Sequence, residues 1–350
     1  MISTPLRNLL VALWVLSASL LHAAPFTGFT SFGDSLSDRG NTYMSNITGT
    51  ILIISNKYNP NFYSSDAALP GYGRWSNGRT WAESLYAQLG FGTMQRNNGY
   101  PQGSGVNPEG TNFAWGGAQS GRGGVFVDNV GAQISHYQAN GYVEMDIATR
   151  LFSLWIGGND IMDHIIANPS SSSSDSVMVD GIVANVSSYL TTLYNLGARS
   201  FLLPNLPDIG TTPSMSSLGF AARATQDSLD FNTKFAASLS TFTAARPDAT
   251  VFSLDVYAKF TDIRANPANY GLTNVNDSVY VADASLPLKG SLVGDPDDYL
   301  FWDGVHPTSV VHEILANEAY ALVTVPEPGT VFLFAIGSMG CIVVVLRRRM

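Results

Sequence analysis

Five short apolar segments, at 27–32, 111–114, 151–156, 200–203 and 250–254, constrain this chain more than any other feature. Each is β-branched or aromatic, and each has Gly, Asn, Asp or Pro close behind it. Between and after them lie longer stretches with helical apolar spacing, at 80–89, 130–139, 177–196, 218–245 and 309–323. Brief strands alternating with helices predict a parallel sheet covered on both faces, hence an α/β fold. In such sheets ligands bind where loops leave the carboxyl ends of the strands.

Residues 42–110 break the alternation. They are rich in Asn, Gly, Pro and Tyr, with a helical signal only near 80–89, and read as an insertion beside the sheet. The run Ser170–Ser174 after Asn168-Pro169 reads as a low-complexity surface linker.

The two ends differ from the middle. Residues 1–24 carry Arg7, an apolar run from Leu9 to Leu21, and Ala23-Ala24, the pattern of a secretory signal peptide. At the other end, Thr330 to Leu346 is apolar and uncharged, and Arg347, Arg348 and Arg349 follow. Seventeen residues is the short limit of a membrane span, and the arginines would stay on the cytoplasmic side. The formal charge of the whole chain is −9. Without Arg7, the three terminal arginines and Glu327 it becomes −12, an acidic surface that argues against nucleic acid as a partner. The one cysteine, Cys341, lies in the tail, so the 25–324 domain has neither a disulfide nor a thiolate nucleophile.

Four segments sit at strand exits or before the last helix: Gly33-Asp34-Ser35-Leu36, Gly116-Gly117, Gly157-Gly158-Asn159-Asp160 and Asp303-Gly304-Val305-His306-Pro307. A serine nucleophile needs a base, and histidine is the best suited near neutral pH. Of five histidines, His22 leaves with the signal peptide. His136 and His312 fall in helical patterns and His164 in a helical turn, where structural roles are expected. His306 lies in a turn pinned by Pro307, three residues after Asp303, a spacing that lets the carboxylate reach the imidazole. A helix-start turn with Asp303 near the N-terminus explains the same spacing equally well. Gly117 and Ser35 can each offer a backbone N–H, and Asn159 an amide, to a developing oxyanion; tight turns are the alternative reading of each. No serine has glycine at both −2 and +2, so the G-x-S-x-G elbow is absent. Asp295, Asp297 and Asp298 are acidic enough to suggest a metal, but a solvated loop accounts for them, and the chemistry needs no cofactor.

Taken in order, Gly33-Asp34-Ser35-Leu36, Asn112-Phe113-Ala114-Trp115-Gly116-Gly117-Ala118, Gly157-Gly158-Asn159-Asp160 and Trp302-Asp303-Gly304-Val305-His306-Pro307 resemble the four blocks of the GDSL lipase/esterase family, the SGNH hydrolases. The resemblance spans 29–323 and is strongest to the branch holding plant GDSL lipases and secreted bacterial hemolysin- and acyltransferase-like members. It implies a three-layer α/β/α, flavodoxin-like fold with a parallel sheet of about five strands. It implies Ser35 as nucleophile, His306 as base, Asp303 as its orienting acid, and an oxyanion hole of Ser35 N–H, Gly117 N–H and the Asn159 amide. Asp34, Asp38 and Asn41 would fix the loop that presents Ser35. Pro326-Glu327-Pro328, the apolar span and the basic end together resemble the PEP-CTERM sorting signal over 325–350. That resemblance implies export, transient residence in the inner membrane, and processing by an exosortase-type enzyme. The expected activity is hydrolysis of a lipid, short acyl or polysaccharide-linked ester. Acyl transfer by the same triad, or a non-catalytic extracellular matrix or binding role, are the alternatives.

Overall fold

The computed structural model describes residues 26–42, 73–96, 111–121, 127–139, 146–171, 175–282 and 290–324. The expected signal peptide at 1–24, the tail at 325–350 with its span at 330–346, and most of the serine run lie outside the described residues. Among the described residues, no helix is long and apolar enough to cross a membrane.

In chain order the elements are β1 (Phe29–Gly33), α1 (Trp81–Gln88), β2 (Gln95–Arg96), β3 (Thr111–Asn112), α2 (Val130–Ala139), β4 (Leu151–Trp155), α3 (Gly158–Ala167) and α4 (Ser176–Asn195). Then come β5 (Ser200–Pro204), α5 (Pro213–Ser217), α6 (Ala221–Ala244), β6 (Thr250–Leu254), α7 (Val256–Ala265) and β7 (Asn274–Ser278). The chain continues through β8 (Tyr280–Ala282), β9 (Gly290–Leu292), β10 (Tyr299–Phe301) and α8 (Ser309–Thr324).

The main sheet has six strands in the order β2-β3-β1-β4-β5-β6, every adjacent pair parallel. Its middle is dry, since every residue of β1 and β4 is buried. That is why both strands read as continuous apolar runs rather than alternating ones. Register decides which side chains share a face. Phe29 pairs with Leu151 and Gly33 with Trp155, so Phe29 and Trp155 point to one face. Both meet Trp81 of α1 there, at ring distances of 6.4 and 5.7 Å. Phe32, Phe152 and Phe201 point to the other face. Tyr137 of α2 packs on Phe32 and Phe152, and Phe242 of α6 packs on Phe201. With α8 joined to α1, and α4 to α6, the fold is the expected three-layer α/β/α sandwich.

The sequence reading expects about five strands, and all five are present. The sixth, β2, is a polar two-residue edge strand with no apolar pattern to announce it. The described part of the 42–110 region, 73–96, is integral to the domain rather than inserted beside it. Trp81, Leu85 and Tyr86 are fully buried, and Arg74 and Glu83 form a buried pair at 2.6 Å. The expected 218–245 helix starts later, at Ala221, because Gly219 takes a left-handed φ of 78° and separates α5 from α6. The pattern missed α3, of which only a turn near His164 was expected, α7 and the small flanking strands β7 to β10. Among these, β10 pairs with β7 in parallel and leads directly into the Asp303–Pro307 turn.

Candidate active site

Strand β1 ends at Gly33, whose φ is +150° and whose absent Cβ would stand 2.4 Å from the Trp155 carbonyl oxygen. Only glycine fits there. The next residues wind into a single turn. Ser37 and Asp38 N–H groups donate to the Asp34 carbonyl, and Leu36 N–H donates to Asp34 Oδ1 at 3.0 Å. This turn holds Ser35 at the carboxyl edge of the sheet, buried but for a small exposed fraction.

Asp38 ties that turn to its neighbours. Its Oδ1 accepts from Gly40 and Asn41 N–H, and its Oδ2 from Thr42 Oγ1 at 2.6 Å and from Gly116 N–H at 3.0 Å. Asn41 Nδ2 donates to the carbonyls of Asn112 and Ala114. Burial pushes the Asp34 carboxyl up to about 7, opposed by its bond from Leu36 and by the His306 charge. Burial also raises Asp38.

The serine meets its partner from 271 residues away. Ser35 Oγ lies 2.9 Å from His306 Nε2, and His306 Nδ1 lies 2.8 and 2.9 Å from the two oxygens of Asp303. Asp303 Oδ1 also accepts the backbone N–H groups of Val305 and His306. Burial opposes charge on Asp303, yet its interaction with His306 and these hydrogen bonds hold its carboxyl below the usual range. An ionised carboxylate only accepts, so His306 Nδ1 carries the proton and Nε2 accepts from Ser35. The ring is held in place by Trp75, 5.2 Å away between centroids, and by its own backbone, whose carbonyl accepts from Trp302 N–H.

Gly116 and Gly117 divide their duties. The Gly116 N–H is taken by Asp38 and by Thr42 Oγ1, and a Cβ on Gly116 would strike the Trp75 indole. Gly117 has a φ of +79°, is exposed, and its N–H has no hydrogen-bond partner among the described residues. The Ser35 N–H is likewise unpaired among them. Asn159 sits in the first turn of α3, and one of its Nδ2 hydrogens goes to the Ala118 carbonyl at 2.9 Å, leaving the other. The neighbouring Asp160 clamps the same loop, accepting from Ser120 N–H and from Ser120 Oγ at 2.7 Å. The structure therefore joins Ser35, His306 and Asp303 by direct hydrogen bonds, and ties the loop of Gly117 to the helix of Asn159.

Of the other histidines, His136 faces Asp128, and His164 contacts Asp175 at the start of α4. His312 is buried, with Nδ1 accepting the Trp81 N–H, and burial lowers it to about 3. None of the three touches Ser35. Asp295, exposed, caps its own short turn by accepting the Asp297 N–H. Sequence reasoning missed Trp75 and Gln133, which lie outside the four blocks. The carboxamide of Gln133 grips both backbone groups of Gly33, and nothing in its local sequence marks it.

The description GDSL-like Lipase/Acylhydrolase matches residues 30–319, and that of the PEP-CTERM protein-sorting motif matches 324–349. A GDSL esterase/lipase of Arabidopsis thaliana is 29% identical, the match covering 89% of this chain and 92% of the plant protein. A second from the same plant is 30% identical over 83% and 80%. Among solved structures, phospholipase A1 from Streptomyces albidoflavus aligns over 86% of this chain and 100% of its own with a TM-score of 0.41 at 14% identity. Four ordered blocks around one site and a match across most of the chain make this protein a member of the GDSL-like lipase/acylhydrolase family, ending in a PEP-CTERM sorting motif.

Proposed function

We propose that this is an exported carboxylic ester hydrolase whose 25–324 domain works through Ser35, His306 and Asp303. The observation that carries the reading is the continuous hydrogen-bonded line from Ser35 Oγ through His306 to Asp303. His306 Nε2 takes the Ser35 proton as Oγ attacks the ester carbonyl carbon. The tetrahedral oxyanion is held by the N–H groups of Ser35 and Gly117 and by the free Nδ2 hydrogen of Asn159. His306 then protonates the leaving alcohol, and water, activated by the same nitrogen, releases the acid from Ser35. Asp303 stays ionised and stabilises the imidazolium. Export rests on the leader pattern at 1–24 and the sorting motif, with an exosortase-type enzyme as the partner that processes the 325–350 tail.

The test is a fluorophosphonate probe together with hydrolysis of p-nitrophenyl esters by the wild type and Ser35→Ala. Labelling and turnover are expected in the wild type, and the alanine variant should lose both, turnover by at least about 10⁴-fold. Undiminished hydrolysis by Ser35→Ala would sink the assignment.

A further inference from the structure

A small, partly open cavity, lined by chain neighbours of the triad though not by Ser35, His306 or Asp303 themselves, is left without a use by the mechanism above. Its volume is about 30 Å³, and its walls include Leu36, Trp155, Phe260, Phe301, Val305 and Pro307. Three of these are chain neighbours of the reacting residues: Leu36 follows Ser35, and Val305 and Pro307 flank His306. We propose that this cavity is the acyl pocket of Ser35, and that its size restricts the enzyme to esters of short acyl groups such as acetyl and propionyl. The proposal rests on the serine-esterase reading and adds the substrate class to it.

Three observations assign the cavity to the acyl side rather than the alcohol side. The first is its chemistry. The wall is mostly apolar, and Asp208 Oδ1 and Thr212 Oγ1, at its polar border, are engaged within the protein. Asp208 Oδ1 accepts from Gly210 N–H and Thr225 Oγ1, and Thr212 Oγ1 donates to the Ile209 carbonyl. A space walled mostly by carbon, with a carboxylate as its charged neighbour, suits a neutral alkyl group and disfavours an anionic head group.

The second is enclosure. Trp155 and Phe301 are almost completely buried, and Phe260 of α7 is buried as well. The acyl group stays bonded to Ser35 through both halves of the reaction, so a blind pocket serves it. The alcohol must take a proton from His306 and depart, and water must then enter, so the alcohol needs an open side. That side is at Gly117, where an added Cβ would meet no atom within 4 Å among the described residues.

The third is size and stiffness. A space of 30 Å³ holds about two groups the size of a water molecule, which is one or two carbons beyond the carbonyl. The wall does not yield easily. Trp155 is fixed against Trp81, and the His306 turn is tied to the segment after β5 by Ser214 N–H donating to the Gly304 carbonyl at 2.8 Å. In a pocket of this kind each methylene that does not fit costs roughly tenfold or more in kcat/KM.

The experiment measures kcat/KM of the full chain for p-nitrophenyl acetate, butyrate and octanoate, with fluorophosphonate labelling run on the same preparations. The wild type is expected to favour acetate over octanoate by at least about tenfold. Phe260→Ala removes one wall far in sequence from the triad and should raise the octanoate-to-acetate ratio by at least about tenfold. Phe260→Leu is the milder opening and should raise it by less, and it decides the matter if the alanine variant does not fold. A wild type that labels at Ser35 but uses octanoate as well as acetate overturns the pocket and spares the triad. Folded Phe260 variants whose ratio stays within about twofold of the wild type overturn it equally. A protein that neither labels nor hydrolyses any of the three esters overturns the serine-esterase reading, and the pocket with it.

Discussion

Gly33 and Gln133, 100 residues apart, exchange two hydrogen bonds. Gly33 N–H donates to Gln133 Oε1 at 2.9 Å, and Gln133 Nε2 donates to the Gly33 carbonyl at 2.8 Å. Beyond the end of β3 the Gly33 carbonyl also accepts the Trp115 N–H, and the side-chain amide adds to that pairing. It holds the last residue of β1 two positions before Ser35.

Gln133→Met keeps the bulk and removes both bonds, leaving the Gly33 N–H buried without a partner. The cost is about 1–3 kcal/mol of stability, measured as a lower urea midpoint at an unchanged slope. Because the loop bearing Ser35 starts there, kcat should fall while KM changes little.

Asp303→Asn keeps the shape of the turn but cannot fix the imidazole with its proton on Nδ1. The expected result is a loss of about 10⁴ in kcat against a short acyl p-nitrophenyl ester, with the melting temperature nearly unchanged. A variant within tenfold of the wild type would show that Asp303 does not orient His306.

Asn159→Ala removes one proposed oxyanion donor and one tie to the Ala118 carbonyl. A loss of about 10²–10³ in kcat is expected, larger than any change in KM. Steady-state kinetics on a single ester separates the two parameters.

Asp34 is a buried acid whose folded value, about 7, lies above its ordinary 3.8. Folding therefore favours the protonated form. The stability this supplies is complete below pH 3.8 and is lost as the pH rises to about 7, an effect on the order of a few kcal/mol. Asp34→Asn can still accept from Leu36 and does not titrate. Its melting temperature should gain on that of the wild type between pH 4 and pH 7 and then run parallel. Asp38 and Asp160 shift in the same direction and are present in both proteins, so the comparison reads Asp34 together with its repulsion from Asp160.

His312 gives the opposite slope. Its folded value of about 3 lies below the ordinary 6.5, so its contribution is complete above pH 6.5 and is lost as the pH falls toward 3. Relative to the wild type, His312→Gln should lower the urea midpoint at pH 7.5 by more than at pH 4.5, whatever the opposing slope of Asp34. A loss equal at the two pH values would mean that the buried ring is not kept neutral.

The five main strands and the blocks around Ser35, Gly117, Asn159 and His306 were legible because each is a local pattern. A strand buried on both faces must be apolar throughout, and a nucleophile turn at a strand exit needs Gly33 where no side chain fits. The order of the blocks along the chain pointed to the family. Other features were silent for equally local reasons. β2 is two polar residues, and Gln133 reads as one more polar position in a helix. Region 73–96, its 80–89 helix included, read as an insertion because its buried groups include the charges Arg74 and Glu83, whose pairing is invisible in a linear string.

By itself, then, the sequence determined the layer architecture, the candidate chemistry and the sorting motif at the end, since all of these are written in residue types at short spacing. Only the tertiary structure decided that Ser35 Oγ meets His306 Nε2 across 271 residues. It alone decided that the Gly116 N–H is consumed and the Gly117 N–H is left, and that Leu36, Trp155, Phe260 and Val305 line one small cavity. Those outcomes depend on strand order and on side chains from distant segments filling the same space. No single segment carries that information.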